Sequence, residues 1–423
     1  MRKVIAAVAI CGVLVPGVAF ADPLQWNGPL SRTQAVQRAT AAGFDVREAI
    51  ANADASRAQL GQARSAVLPQ IGVSSTYTNA NLAQLGMPVA VQRYSSISAG
   101  VPLLAPNGWA NAKAAGRAAA AADYDTAATR NDAALAAVQA YDRAILGLET
   151  AASRQVAVQE QQENVKLVGL RVQAGRAARF ELTRARAALA QAQQSQEDAA
   201  ADAVRSANDL KVALDLSVDS NIVLPNAIDI RPLDDTQAAA MTRAVRQRPD
   251  VLSAQAMVES ARAQLIAARA LYAPTATASA QTYGGTSTPP LGVTGSQVTV
   301  AVSLPLFDGG ARPAAVHLVE AQLAKAQAEL ERRTLSAQTD VADAWRDVQA
   351  AQKNMSTADA EQADATESLR VALLRRQAGK AIGLEVLDAL SAAAMAREDA
   401  LDARARYDMA IAALHHAAGD SQG

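Results

Sequence analysis

Few residues in this chain have the types and spacing that chemistry requires, and the acidic pair Glu385 and Asp388 is the clearest candidate. The two carboxylates lie three positions apart in a stretch with helical periodicity, so they share one face of the predicted helix. Neighbouring carboxylates favour cations and repel anions. An ordinary solvated helix face carries the same residue types, and the spacing is compatible with either interpretation.

The other candidates do not indicate catalysis. The three histidines lack the spacing of metal ligands. Asp308 and the two glycines after it are typical of a turn from strand to helix, with Asp308 as the helix cap, and not of a phosphate loop. The sequence contains no nucleophile elbow, Walker sequence or zinc motif. We therefore expect no enzyme, no metal site and no cofactor.

The composition favours long helices. Of the 423 residues, 50% are hydrophobic but only 3% are aromatic, and alanine supplies much of the apolar count. Small side chains let helices approach closely while each buries little area, which suits helices packed lengthwise. With 40 basic and 41 acidic residues the formal charge is −1, so nothing favours a nucleic-acid partner or a polybasic membrane patch.

The N-terminus is typical of a secretory signal peptide. A basic start precedes an apolar run that ends in an A-x-A cleavage site at residues 19–21, so we expect a signal peptide at 1–21. The single cysteine, Cys11, lies inside that run. An exported chain without disulfides must gain its stability from helix packing or oligomerisation.

The chain contains two copies of one pattern. RAQLGQARSAVLPQ begins at Arg57, and RAQLIAARALYAPT begins at Arg262, 205 positions later. The glycine window RVQAGRAARFELTRAR likewise recurs as RRQAGKAIGLEVLDAL, 204 positions later. Because the landmarks keep their order and spacing, we predict a tandem duplication with repeats at 22–225 and 226–423.

Each repeat combines helical periodicity with two segments of period two. The predicted helices are about 32–66, 108–173 and 178–215 in the first repeat and about 236–272, 311–377 and 382–418 in the second. The predicted strands are 71–78, 94–103, 274–283 and 296–307. At 1.5 Å per residue, each of the longest helices would extend roughly 100 Å.

The predicted strands have the length of tilted outer-membrane strands. Four strands cannot close a barrel, and lipid does not tolerate an open sheet edge. Any such barrel must therefore be shared between chains. Two chains would give about eight strands, which side chains would plug, whereas three would give about twelve, so an open pore predicts a trimer.

The ordered landmarks resemble the TolC-like outer membrane efflux family. The resemblance rests on RPDVLSAQAMVESARAQLIAARALYAP, LPLFDGGARPA and AGKAIGLEVLDAL, and it covers essentially the whole mature chain. It implies a mainly α fold with a small β part. In that fold a trimeric 12-stranded outer-membrane β-barrel, with four strands per chain, continues as a long periplasmic α-helical barrel in a Gram-negative cell.

The resemblance also implies the exit duct of a tripartite efflux or type I secretion system. Its partners would be two further copies of the chain, outer-membrane lipid, a periplasmic adaptor (membrane fusion protein) and an inner-membrane transporter of RND or ABC type. Drugs, metal cations and polypeptides all remain open as substrates. The alternative is a periplasmic coiled-coil scaffold or adaptor without a membrane barrel, although adaptors lack two symmetric pairs of strands.

In this family the glycine windows are periplasmic tip turns that bind adaptor hairpins. The corresponding residues are Ala174, Gly175 and Arg176 in the first repeat and Ala378, Gly379 and Lys380 in the second. Both glycines also suit a plain helix C-cap, with or without a partner.

The resemblance further implies that Glu385 and Asp388 line the constricted entrance, with Glu181 as the counterpart of Glu385 in the first repeat. Threefold repetition would produce acidic rings that favour cations. The family's basic residue beyond the second tip glycine is replaced by Ala381. The candidates for gate ion pairs are therefore Arg375, Arg376 and Arg404, with Lys380 as a further basic residue at the turn.

Overall fold

The structure is a computed structural model, and it describes residues 25–80, 90–233, 235–287, 292–378, 380 and 382–420. The predicted signal peptide and two residues of the second tip turn, Gly379 and Ala381, lie outside the described residues.

Both halves fold in the same order, with short helices, a strand hairpin and a long helical hairpin. The first half contains β1 (Asn27–Pro29), α1 (Arg32–Ala42), α2 (Phe44–Ser65), β2 (Gln70–Ala80), β3 (Ala90–Leu104), α3 (Pro106–Gln173) and α4 (Arg179–Ala213). The second half contains β4 (Asn221–Val223), α5 (Gln237–Gln247), α6 (Pro249–Arg269), β5 (Thr275–Ser287), β6 (Gly292–Ser303), α7 (Ala311–Gln377) and α8 (Gly383–Ala417). The predicted mainly α fold with a small β part is confirmed.

The first helix predicted in each half is in fact two helices. Gly43 separates α1 from α2 with an extended ψ of 147°. Arg248 separates α5 from α6 with a ψ of 124°. Pro249 causes the second break, because a proline ring disfavours the helical conformation of the residue before it. The predictions of single helices over about 32–66 and 236–272 were wrong at these two positions.

The end of the last strand was also misplaced. The alternation of SQVTVAVSLPLF predicted a strand to residue 307, but β6 ends at Ser303. Pro305 has no backbone N–H to give to a ladder, so pairing stops before it. The apolar residues beyond it, Leu306 and Phe307, are 87% and 89% exposed.

Alanine dominates the packing of the long helices. In the first half, Ala137 and Ala144 of α3 are fully buried beside Leu210 of α4, and α1 covers them. In the second half, α5, α7 and α8 build a separate core around Val341 and Ile411. At 1.5 Å per residue, the 68 residues of α3 extend roughly 100 Å. No helix in the described ranges combines the length and apolar character needed to cross a membrane.

The four long strands form one antiparallel sheet in the order β2-β3-β5-β6. Its register places Val73 beside Ile97 and, further along the sheet, Ala280 beside Val298, so one face is apolar. Val73 and Val298 are 78% and 79% exposed. The opposite face carries serine, threonine and glutamine. Within the described residues, β2 and β6 each have a free edge.

A glycine sets the distance between α3 and α4. A Cβ added to Gly147 would lie 2.7 Å from the Ser206 Oγ atom and 3.1 Å from the Ala203 Cα atom. A Cβ at Gly61 of α2 would meet no atom within 4 Å.

We therefore predict opposite effects for two identical substitutions. Gly61→Ala should stabilise the fold by about 0.5–1 kcal/mol, because alanine is the better helix former. Gly147→Ala should destabilise it by about 1–3 kcal/mol, because the backbone at Ala203 cannot move aside as a side chain can. Urea unfolding midpoints of both variants measure this, and a stabilised Gly147→Ala variant would contradict the packing described here.

Candidate functional site

The first tip turn ends α3 in a defined hydrogen-bonded motif. Gly175 has a φ of +69°, in the left-handed region that glycine adopts without strain. The N–H of Gly175 donates to the Val172 carbonyl over 3.1 Å, and the N–H of Arg176 donates to the Arg171 carbonyl over 2.8 Å. These are the two bonds of a Schellman motif, with Ala174 as the C-cap.

The second turn repeats this geometry on α7. The N–H of Lys380 donates to the Arg375 carbonyl over 2.8 Å, the same six-residue ring as in the first turn. Ala378 is again the C-cap, and its N–H donates to the Leu374 carbonyl over 3.0 Å. The described residues on either side of position 379 therefore repeat bonds of the first turn.

Apolar side chains surround both turns. Leu170 and Phe180 flank the first turn with 56% and 68% of their surfaces exposed, and Leu374 and Ile382 flank the second with 50% and 67% exposed. Four large apolar side chains in solvent at one end of two hairpins form a surface suited to another protein.

The acidic candidates gather where α8 begins. Glu385 lies in the first turn of α8 and forms an ion pair with Arg375 of α7, with 3.1 Å between Nη1 and Oε1. Asp388 is exposed one turn later and makes no ion pair with any residue that the structure describes. The Glu181 carboxylate approaches from α4 and lies 3.0 Å from the place where a Cβ on Gly383 would stand. The structure thus brings the two repeats' glutamates to the same helix start.

Arg376 is buried, unlike its neighbour. Only 7% of its surface is exposed, and its Nη1 atom donates to the Asn164 Oδ1 atom of α3 over 2.5 Å. The Asn164 Nδ2 atom in turn donates to the Gln161 Oε1 atom over 3.4 Å. Burial lowers the pKa of Arg376, nearby Arg171 lowers it further, and Glu181 opposes both. Arg376 therefore ties α7 to α3 instead of facing solvent at the tip.

Arg404 lies apart from this group. Its Nη2 atom forms an ion pair with the Asp359 Oδ1 atom at 2.8 Å, which joins α8 to α7 within one hairpin. At 1.5 Å per residue, it is about 30 Å along α8 from Glu385. Of the three arginines that the sequence suggested, only Arg375 and Arg376 are close to the turn.

Two ion pairs between the two hairpins, called the crossed pairs below, were not predicted from the sequence. Arg154 of α3 pairs with Glu398 of α8 at 2.5 Å, and Arg397 of α8 pairs with Glu160 of α3 at 2.6 Å. Burial raises the pKa of Glu398, and Arg154 opposes that rise. The adjacent opposite charges at 397 and 398 were the only local signal, since the partners are more than 200 residues away.

The described residues contain no group of three or more His, Cys, Asp or Glu side chains placed to hold a metal ion. The arrangement at the turns can act through charge, helix contacts and exposed apolar surface.

Comparison with known proteins matches both halves of the chain. A family model described as outer membrane efflux protein covers residues 35–215 and 240–420. Protein CyaE of Bordetella pertussis is 31% identical over 194 residues, which are 44% of this chain. The match spans 41% of the length of that curated relative.

Three solved outer membrane proteins share the fold. CmeC of Campylobacter jejuni is 18% identical with a TM-score of 0.80, covering 92% of this chain and 85% of that one. VceC of Vibrio cholerae is 20% identical with a TM-score of 0.79, and the match covers 92% of this chain and 96% of VceC. MtrE of Neisseria gonorrhoeae, solved in its open state, is 20% identical with a TM-score of 0.80, and the match covers 92% of this chain and 89% of MtrE.

The neighbouring arginines of the second turn provide a matched test of the site. Arg376→Ala should destabilise the protein by about 1–3 kcal/mol, because it leaves the buried Asn164 amide without its donor. Arg375→Ala removes only an exposed ion pair and should cost at most about 1 kcal/mol. Urea unfolding midpoints compare the two variants. Equal losses would show that Arg376 is not the buried tie between α3 and α7.

Proposed function

The chain belongs to the outer membrane efflux protein family, and on that basis we propose that it is the outer-membrane exit duct of a tripartite efflux or type I secretion system. The family and the fold are those of channel proteins, located at the outer membrane with the helices extending into the periplasm. The duct receives its substrate from an inner-membrane transporter and a periplasmic adaptor, and it performs no catalysis.

The observation that carries this proposal is the sheet with two unlike faces and two free edges. Val73, Val298 and Val300 expose the apolar face, which suits lipid. The serine, threonine and glutamine side chains of the other face suit a wet lumen. The unpaired N–H and C=O groups of β2 and β6 need partners in a membrane. Pairing β6 of one copy with β2 of the next in a trimer closes a 12-stranded barrel.

The closed barrel predicts the mass of the particle. The protein extracted in mild detergent should have the protein mass of three chains, measured by light scattering with correction for the detergent. A purely monomeric particle would contradict the shared barrel, because one chain leaves both sheet edges open.

A pair of neighbouring substitutions on β6 serves as the control for this prediction. Val300→Arg puts a charge on the apolar face and should cost about 2–4 kcal/mol in the membrane, reducing the yield of trimer. Thr299→Arg puts the same charge on the polar face and should leave the trimer in place.

At the other end of the duct, the two turns serve as the docking site for adaptor hairpins. The exposed apolar side chains of Leu170, Phe180, Leu374 and Ile382 beside the turns offer contact area. Arg176 and Lys380 add positive charge at the same end.

The entrance is held closed by links inside each protomer. The family's basic residue is absent at Ala381, and four other contacts supply its effect. Arg375 pairs with Glu385 across the turn, Arg376 binds Asn164, and the crossed pairs join α3 to α8. For the second hairpin to swing away from the first, the ties to α3 must break.

Threefold repetition turns Glu385 and Asp388 into acidic rings at the entrance, with Glu181 close behind. The double variant Glu385→Ala/Asp388→Ala should lower the cation selectivity of single channels in planar bilayers and weaken their block by polyvalent cations, because the negative potential of the narrow entrance is lost.

A second acidic pair in the chain provides a control for this measurement. Glu361 and Asp364 of α7 have the same spacing and are both exposed, but at 1.5 Å per residue they lie about 25 Å from the turn. Glu361→Ala/Asp364→Ala should change selectivity much less. Unchanged selectivity in the first variant, or an equal change in both, would remove the acidic rings from the mechanism.

A further inference from the structure

Two aspartates face each other in the interior, far from the tip turns. Asp142 of α3 is 1% exposed and Asp408 of α8 is 0% exposed. Arg32 of α1 forms an ion pair with Asp408 and lies 3.7 Å from the Asp142 Oδ1 atom. Elements of both repeats and the N-terminal segment therefore meet at these carboxyl groups.

The hydrogen-bond donors at this position do not reach two of the four carboxylate oxygens, and the Nε and Nη2 atoms of Arg32 and Arg231 are themselves buried without an acceptor among the described residues. The Asp142 Oδ2 and Asp408 Oδ1 atoms are buried without a donor among the described residues. The Arg231 Nε atom is 3.7 Å from Asp408 Oδ1, which is too long for a hydrogen bond. An ionised carboxylate only accepts, whereas a protonated carboxyl also donates. One proton between the two side chains gives the pair the donor that it lacks.

The surrounding groups are few and on known elements. Arg32 comes from α1, Arg231 from the segment between β4 and α5, and Asp408 from α8. On α3 itself, the Tyr141 hydroxyl donates to the Leu30 carbonyl over 3.1 Å and is not available to the pair. Burial raises the pKa of Asp142 to about 7. The charged neighbours have smaller effects, in decreasing order of size: Arg32 lowers the pKa, Asp408 raises it and Arg231 lowers it.

The pair has a route for proton exchange. A cavity of about 800 Å³ lies between α1, α3 and the segment that joins β4 to α5. Arg32, Tyr141, Asp142 and Arg231 are among the residues that line it. The cavity borders the Asp142 side of the pair.

We propose that Asp142 and Asp408 share one proton and form a pH-sensitive clamp that holds α8 of the second repeat against α3 of the first. When the proton leaves, two buried negative charges face each other and the contact between these helices weakens. The inference concerns a single protomer, so it does not depend on the proposed exit duct.

The sign of the pH dependence follows from the direction of the shift. The pKa of Asp142 is higher in the folded protein than its ordinary value of 3.8, so the folded state binds the proton more tightly. The stabilising contribution is complete below the ordinary value and is lost as the pH rises through about 7.

The test compares thermal unfolding of the full chain in detergent between about pH 5 and about pH 8. The wild-type midpoint should fall with rising pH relative to Asp142→Asn, whose amide donates to Asp408 at every pH. Asp347→Asn is the matched control, because Asp347 lies 205 residues further on, at the equivalent position of α7, and is exposed. It should keep the wild-type slope. Parallel slopes for wild type and Asp142→Asn would overturn the proposal.

Infrared spectroscopy gives a readout that needs no stable variant. The carbonyl stretch of a protonated buried carboxyl should be present in the wild type at about pH 6 and absent at about pH 9. Asp142→Asn, where it folds, should lack this band at both pH values. A wild-type spectrum without the band at the lower pH would also overturn the shared proton.

Discussion

Close packing of alanine along α3 is the constraint on which the rest of the structure depends. This helix contacts α1, α2, α4, α6 and α8, and alanine is the commonest residue among its buried side chains. Each alanine buries little area, so the hydrophobic stabilisation per turn is small and must be collected over many turns. The great length of the helices is the consequence. Gly147 shows how tight the approach is, since even one methyl group there would meet the backbone of α4.

A seam of small, similar side chains stabilises packed helices but does not fix how far one helix is shifted along the other. Polar links between the hairpins fix that register. The two hairpins are joined at defined positions along their helices by the bond between Arg376 and Asn164 and by the crossed pairs of Arg154 and Arg397. Buried or half-buried charges contribute little net stability, because desolvation offsets the attraction between them. Their directional bonds nevertheless select one alignment of otherwise interchangeable helix faces. The same links oppose separation of the hairpins, so the register and the proposed closure of the entrance would have one physical origin.

The duplication gives the two tips one backbone geometry and different side chains. Both turns use the same hydrogen-bonded ring, because each window keeps a glycine after an alanine C-cap. The carboxylates are distributed unequally, with Glu181 on the first repeat and both Glu385 and Asp388 on the second. Glu181 reaches the start of α8 across the protomer, so the acidic groups of both repeats act at one place. The two repeats thus share a scaffold but differ in the charge that they carry at this place.

Local periodicity determined most of the fold. The long helices end within two residues of their predicted bounds, and the tip turns and four strands were predicted, because periods of 3.6 and 2 and a glycine after a helix are local signals. The breaks at Gly43 and Arg248 and the early end of β6 were locally encoded by glycine and proline, and reading through them was an error. Only the tertiary structure decided that Arg375 is exposed while adjacent Arg376 is buried, since that depends on which face meets α3. It also decided the crossed ion pairs and the meeting of Asp142 with Asp408, because these partners are more than 200 residues apart in sequence and only the packing of the two repeats brings them together.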